Sequence, residues 1–151
     1  MSDIINGFFG EHRWLSNFYG ADIVYEGLHF PSVEHAYVYS KYLNKPKDLA
    51  QFLELTAGAV KRLGKTIDIR PDFEDVKLDV MAELIFCKFS DRNPALLQKL
   101  VETRDKHICE VNSWGDTFWG VNLEGVGLNM LGKIIMARRE QLSKEYLLKA
   151  D

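Results

Sequence analysis

The chain has 151 residues, 46% hydrophobic and 27% charged, with a formal net charge of −3. That suits one domain with a real core, expected to span residues 1–151. It supplies no global basic field for sequence-independent nucleic-acid binding, leaving only a local patch such as Arg138 and Arg139. Cys87 and Cys109 form neither a disulfide framework nor a metal motif, and the first ten residues are too polar for a signal peptide. No apolar run approaches the ~20 residues of a membrane span, so a cytosolic, reduced protein is expected.

In chain order, Ile4, Ile5, Phe8 and Phe9 suggest a first strand, followed by a polar-aromatic loop from Glu11 to Tyr19. Ile23–Tyr25, the turn Glu26-Gly27 and Leu28–Phe30 read as a β-hairpin. Pro31, taken as the first helical position, and Ser32 open a helix expected to reach about Asn44. Short helices follow over Asp48–Leu55 and from a Thr56 cap to a Gly64 stop. Apolar spacing from Asp72 to Phe89 predicts a long amphipathic helix, and Asn93-Pro94 starts another to about Thr103. A strand at His107–Val111, a Gly- and Trp-rich loop over Asn112–Gly127 and a last helix from about Asn129 to Leu148 complete an α+β fold. It is mostly helical, with a small sheet near the N-terminus and one strand returning late.

Glu34 and Lys41 are seven residues apart, almost two helical turns, with Cα atoms roughly 10 Å apart and side chains leaving one face. Lys41 leans back toward Glu34, because helical side chains tilt toward the N-terminus. Three segments, Arg13–Tyr19, Ser32–Lys41 and Asn112–Gly120, mix aromatics with carboxylates, amides or amines, as a planar nitrogen-rich ligand requires. Plain structural readings stand beside these. Glu34 can simply favour the positive end of the helix dipole, and Lys41 can be a solvated amine. Asp116 can be a turn former, and Trp14 and Trp119 packing residues. The four histidines, at 12, 29, 35 and 107, lack metal-ligand spacing, with His35 placed on the helix flank. No nucleophile elbow, P-loop or dinucleotide fingerprint is present, and no cofactor or metal is expected.

Taken together, these segments resemble the NADAR (YbiA-like) family. Leu15-Ser16-Asn17-Phe18-Tyr19 looks like its first signature, and Pro31–Tyr37 with Lys41 like its second. Ala59, Lys61 and Gly64 resemble a middle motif, and Arg70, Asp72, Glu74, Lys77, Met81, Lys88 and Phe89 the long-helix pattern. Asp116, Trp119 and Gly120 resemble the loop motif, and Gly127, Asn129, Leu131, Gly132, Met136, Arg138 and Leu142 the closing helix. The resemblance implies an N-glycosidase cleaving ribose C1 from a base-like nitrogen. Its substrates would be phosphorylated ribosylamino-pyrimidine intermediates of riboflavin synthesis or, alternatively, ADP-ribose on guanine in DNA or RNA.

Carried onto this sequence, the resemblance makes Glu34 and Asp116 the acidic candidates, Lys41 the amine and Trp119 the stacking ring. Asn17, Phe18, Phe73, Gly120 and Asn129 fall on the substrate side. Arg13, Lys61 and Arg62 are candidates for the phosphate. Phe73 stands where riboflavin-type members typically carry tryptophan, so it can stack but lacks an indole donor. Two routes stay open: a carboxylate stabilising an oxocarbenium-like centre or activating water, and attack by Lys41 to form an iminium. A non-catalytic ADP-ribose- or NAD-binding module is a third reading, against which the joint presence of Glu34, Lys41 and Asp116 argues.

Overall fold

The computed structural model describes residues 3–150, and side chains to residue 145. The chain is α+β and divides into two compact units, residues 17–88, and residues 3–16 with 89–150.

In the first unit, β2 (Ile23–Tyr25) and β3 (Leu28–Phe30) form the expected hairpin in register Ile23↔Phe30. Glu26 (φ 51°) and Gly27 (φ 77°) both take positive φ, as a two-residue turn matching strand twist requires. Helix α1 (Val33–Lys41) follows, buried from Val33 to Ser40. Ser32, not Pro31, defines its start: Ser32 is the N-cap, and Pro31 stands exposed outside the helix. The helix also ends three residues short of Asn44. Tyr42 turns extended (φ −60°, ψ 129°) and bridges Ile69, which spends its backbone outside the helix.

Asp48 caps α2 (Leu49–Glu54) and Thr56 caps α3 (Ala57–Leu63), each accepting a backbone N–H three residues on. Gly64 closes α3 with right-handed backbone (φ −59°), so a left-handed stop is not its purpose. A Cβ there would press on Val38 of α1, and the glycine lets α3 approach α1. Helix α4 (Phe73–Lys88) buries Phe73, Val80, Met81, Leu84 and Ile85, and packs on α1 and β2.

In the second unit, β1 (Ile4–Asn6) pairs in parallel with the late strand β4 (His107–Cys109), Ile5 opposite Ile108. The expected sheet is thus two two-stranded pieces, β1–β4 and β2–β3. The first strand stops at Asn6 rather than reaching Phe9, because Gly7 takes φ 104°. The expected loop after it begins as a 3-10 helix over Gly10–Leu15, driven inward by Trp14 and Leu15. Trp14 packs edge-on against Phe89, with centroids 6.1 Å apart. Helices α5 (Pro94–Glu102) and α6 (Met130–Ala150) pack together, and α6 also covers β4. Among the described residues no helix is long and apolar enough to cross a membrane.

Candidate functional site

The helix start that carries Glu34 is heavily determined. Ser32 Oγ accepts the His35 N–H (3.1 Å), and the Glu34 N–H donates to the Asn17 carbonyl (3.1 Å). The first turn of α1 is therefore tied to the Asn17-Phe18 segment. Glu34 is 9% exposed, and its carboxylate has no hydrogen-bond or ion-pair partner among the described residues. Burial raises its pKa above the usual carboxylate value, opposed by the charges of Lys61 and then Lys41.

Lys41 ends α1 with its Nζ 5.2 Å from the Tyr37 ring centre and 5.8 Å from that of Phe73. Those two rings pack on each other at 5.4 Å and 62°. Burial lowers the Lys41 pKa, while Glu34 pulls it up and Lys61 pushes it down. Lys61 of α3 holds its own Nζ 5.6 Å from the Phe18 ring centre. Phe73 is only 4% exposed, so it forms the wall behind Lys41.

Asn17 adds an unmet polar atom. Its Nδ2 donates to Met81 Sδ (3.7 Å), but its buried Oδ1 has no partner among the described residues. Buried polar atoms are normally satisfied, so the Asn17 Oδ1 is an exception, on a segment tied to Glu34 through the backbone. The first unit thus brings together five expected residues, Asn17, Phe18, Glu34, Lys41 and Phe73, with Lys61 joining them.

The second unit collects the others. Asn112 and Asp116 bracket a tight loop: Asp116 N–H donates to Asn112 Oδ1 (3.0 Å), and Asn112 Nδ2 to the Asp116 carbonyl (2.8 Å). Asp116 Oδ1 accepts the N–H groups of Phe118 (3.2 Å) and Trp119 (2.9 Å), while Oδ2 has no partner among the described residues. Asp116 is therefore a turn former with one carboxylate oxygen left over. The half-buried Trp119 ring meets Phe118 edge-on at 4.8 Å.

Gly120 is required by close approach, since a Cβ would strike Glu110 and Asn112. Asn129 (φ 51°) is buried, its Nδ2 donating to the Ile108 carbonyl and its Oδ1 accepting the Glu110 N–H, both at 2.9 Å. Its amide braces the end of β4. Arg13 is exposed on the 3-10 helix.

The profile of the NADAR domain matches residues 7–143. The chain belongs to the NADAR domain family. It is 34% identical over 125 residues to the maize (Zea mays) chloroplastic riboflavin biosynthesis protein PYRR, an alignment covering 75% of this chain and 20% of that protein. It is 33% identical over 134 residues to an N-glycosidase of Nostoc punctiforme, covering 85% and 84%. The chain thus spans about a fifth of the maize protein and most of the cyanobacterial one. The NMR structure of Escherichia coli YbiA matches with a TM-score of 0.81 and 29% identity, covering 97% of this chain and 89% of that one.

Two features of this NADAR chain are plainer in three dimensions. Lys61 reads in the sequence as a phosphate partner, yet it is the strongest charge acting on Glu34. Its signal is indirect: only the packing of α3 on α1 brings it near. Lys88 is fully buried, and burial lowers its pKa to about 7. Its signal lies in the sequence, because Lys88 continues the buried stripe Met81, Leu84, Ile85 of α4 at helical spacing. Among the described residues no cluster of His, Cys, Asp or Glu is arranged to hold a metal ion.

Proposed function

We propose that this chain is an N-glycosidase that hydrolyses the bond between ribose C1 and an exocyclic base nitrogen. Its substrate on this reading is a phosphorylated ribosylamino-pyrimidine intermediate of riboflavin biosynthesis. The observation that carries the reading is Glu34: a buried carboxylate without a bonding partner, on one helix with a half-buried amine. A structural carboxylate in that position costs stability and returns nothing, whereas an acid–base catalyst needs a raised pKa and a free oxygen. The names of the maize and Nostoc relatives support the same class of reaction and pathway.

In this reading the neutral Lys41 amine attacks C1 of the ribosylamine. The C1–N bond to the base breaks as Glu34 passes a proton to the departing nitrogen; the ring C1–O4′ bond then opens, O4′ takes a proton from the Lys41 nitrogen, and an iminium joins Lys41 to C1. Water then adds to C1 with Glu34 as base, and Lys41 leaves as the free amine. The sum is one water consumed, one amino-pyrimidine and one ribose phosphate released. A lowered lysine pKa favours this route over a purely oxocarbenium one, because more of the amine is unprotonated near neutral pH. The Tyr37 and Phe73 rings shield the amine, the Phe18 face is offered to the heterocycle, and Lys61 is offered to the phosphate. Asp116, Trp119 and Arg13 belong to the other unit, and no step of this reading uses them.

The test is release of base from the ribosylamino-pyrimidine phosphates, followed by mass spectrometry beside an ADP-ribosylated guanosine oligonucleotide and NAD. Release from the pyrimidine substrates is expected. Release from the oligonucleotide alone would move the substrate to nucleic acid, and ADP-ribose binding without any release would make the chain a binding module.

A further inference from the structure

We propose that a cavity wholly within the unit of residues 3–16 and 89–150 is an anion site shaped for a phosphate ester. The cavity holds about 540 Å³ and lies between the turn at Arg104-Asp105 and one stripe of α6. That stripe, Lys133, Met136, Ala137, Glu140 and Ser143, follows helical spacing, with Arg139 on its flank.

Arg139 is the decisive side chain. It is 8% exposed and charged, and its Nη1 donates to two neutral acceptors, Thr103 Oγ1 (2.9 Å) and the Lys106 carbonyl (2.8 Å). Those bonds fix the guanidinium without neutralising it. Its Nε and Nη2 have no partner among the described residues, and it makes no ion pair there within 4.0 Å. The spare nitrogens are not buried atoms, so a guanidinium fixed by neutral acceptors keeps charged donors available to an anion in the cavity that it lines.

The surroundings point the same way. Arg104 holds a left-handed backbone (φ 57°), a conformation that glycine also adopts readily. Lys133 is exposed at the opposite wall. Of the two acids on the rim, Glu140 already pairs with Lys144 at 3.4 Å, which leaves Asp105 against three cations. A dianion with several oxygens suits such a fork-and-point set of donors, and Ser143 adds a hydroxyl. The volume exceeds what a bare phosphate fills and falls in the range of small-molecule sites, and Met136 and Ala137 give the organic part an apolar wall.

The full chain, labelled with ¹⁵N, would be titrated with pyrophosphate, a nucleoside 5′-monophosphate, and a single-stranded oligonucleotide with and without a 5′-phosphate. Saturable amide shifts are expected at residues 104–106 and 133–143 with both pyrophosphate and the nucleotide, weakening as salt rises. Arg139→Ala also loses the bonds to Thr103 and Lys106, so the informative variant is Arg104→Gly with Lys133→Ala. Glycine suits the positive φ, and Lys133 is exposed. Affinity should fall about tenfold in this double variant, with the thermal midpoint held. Tighter binding of the phosphorylated oligonucleotide than of the nucleotide would assign the ester to nucleic acid, and equal binding to a small molecule. Shifts confined to Lys41 and Lys61, no saturation at the cavity, binding of pyrophosphate but not of the nucleotide, or an unchanged double variant would overturn the proposal.

Discussion

Ser32 and His35 cap α1 reciprocally. Ser32 Oγ accepts the His35 N–H at 3.1 Å and lies 2.6 Å from His35 Nδ1. The other ring nitrogen, Nε2, is 2.7 Å from the Leu55 carbonyl, which can only accept. Nε2 therefore carries the proton, Nδ1 is the acceptor, and the Ser32 hydroxyl donates to it. The pair uses both capacities of one hydroxyl and both nitrogens of one ring to fix the turn bearing Glu34.

Ser32→Ala should then lower unfolding free energy by about 1 kcal/mol, the usual worth of a cap, measured by urea titration. It should also lower turnover, because Glu34 is two residues away. Burial holds the His35 pKa below its ordinary 6.5. The unfolded chain therefore binds that proton first, and the stability His35 contributes is lost as pH falls from about 6.5 through its lower folded value. A variant as stable as the parent at pH 7 would show that the cap does not hold the helix.

Glu34→Gln should be inactive and more stable. Loss of the acid–base group should cut turnover about 10²–10⁴-fold. Because burial raises the folded pKa of Glu34, the folded state prefers the protonated form. That preference stabilises fully below the unfolded value and is lost as pH rises through the folded one, leaving a buried carboxylate that costs stability at neutral pH. Glutamine removes the charge and keeps the shape, so its thermal midpoint at pH 7 should exceed the parent's. Full activity would remove Glu34 from the chemistry, and a lowered midpoint would show that the carboxylate has a stabilising partner.

Much of this arrangement could be read from the sequence, and the part that could not has a common physical cause. The Glu26-Gly27 turn, the Thr56 and Asp48 caps and the α4 stripe are local, set by residues a few positions apart, and they stand where the pattern put them. The early end of α1 depends on Tyr42 finding Ile69, and the division of the sheet on β1 finding β4 a hundred residues later. Neither pairing leaves a mark in a short window. Among the expected site residues, Glu34 and Lys41 were visible as a spacing. Their burial was not, since only the fold wraps α1 on nearly every side. Asn129 shows the converse: it reads as a substrate contact, while its amide is taken up by the backbone around β4.

Reduction with borohydride during turnover should trap the sugar on Lys41. The adduct forms only if the amine attacks C1, and peptide mass spectrometry locates it. Lys41→Arg keeps the charge over Tyr37 and Phe73 but cannot form the iminium, because arginine stays protonated. It should bind substrate and fail to turn it over. Turnover with no adduct in the parent enzyme would leave Glu34 to activate water against an oxocarbenium-like centre, with Lys41 as a bystander cation.

Lys88 offers a test of the interior that is independent of substrate. Burial sets its pKa at about 7 in the folded chain, against 10.5 for an ordinary lysine. Between those two values the unfolded chain holds a proton that the folded chain has released, so this residue makes stability rise with pH across that window. Below about pH 7 both states are protonated, and the cost of the buried charge is present in full. Lys88→Met keeps the length of the side chain and removes the titration. The difference in urea midpoint between parent and variant should therefore shift in the parent's favour from pH 7 to pH 10. A difference that stays constant across that range would mean that Lys88 remains charged in the folded chain, held by the groups around it.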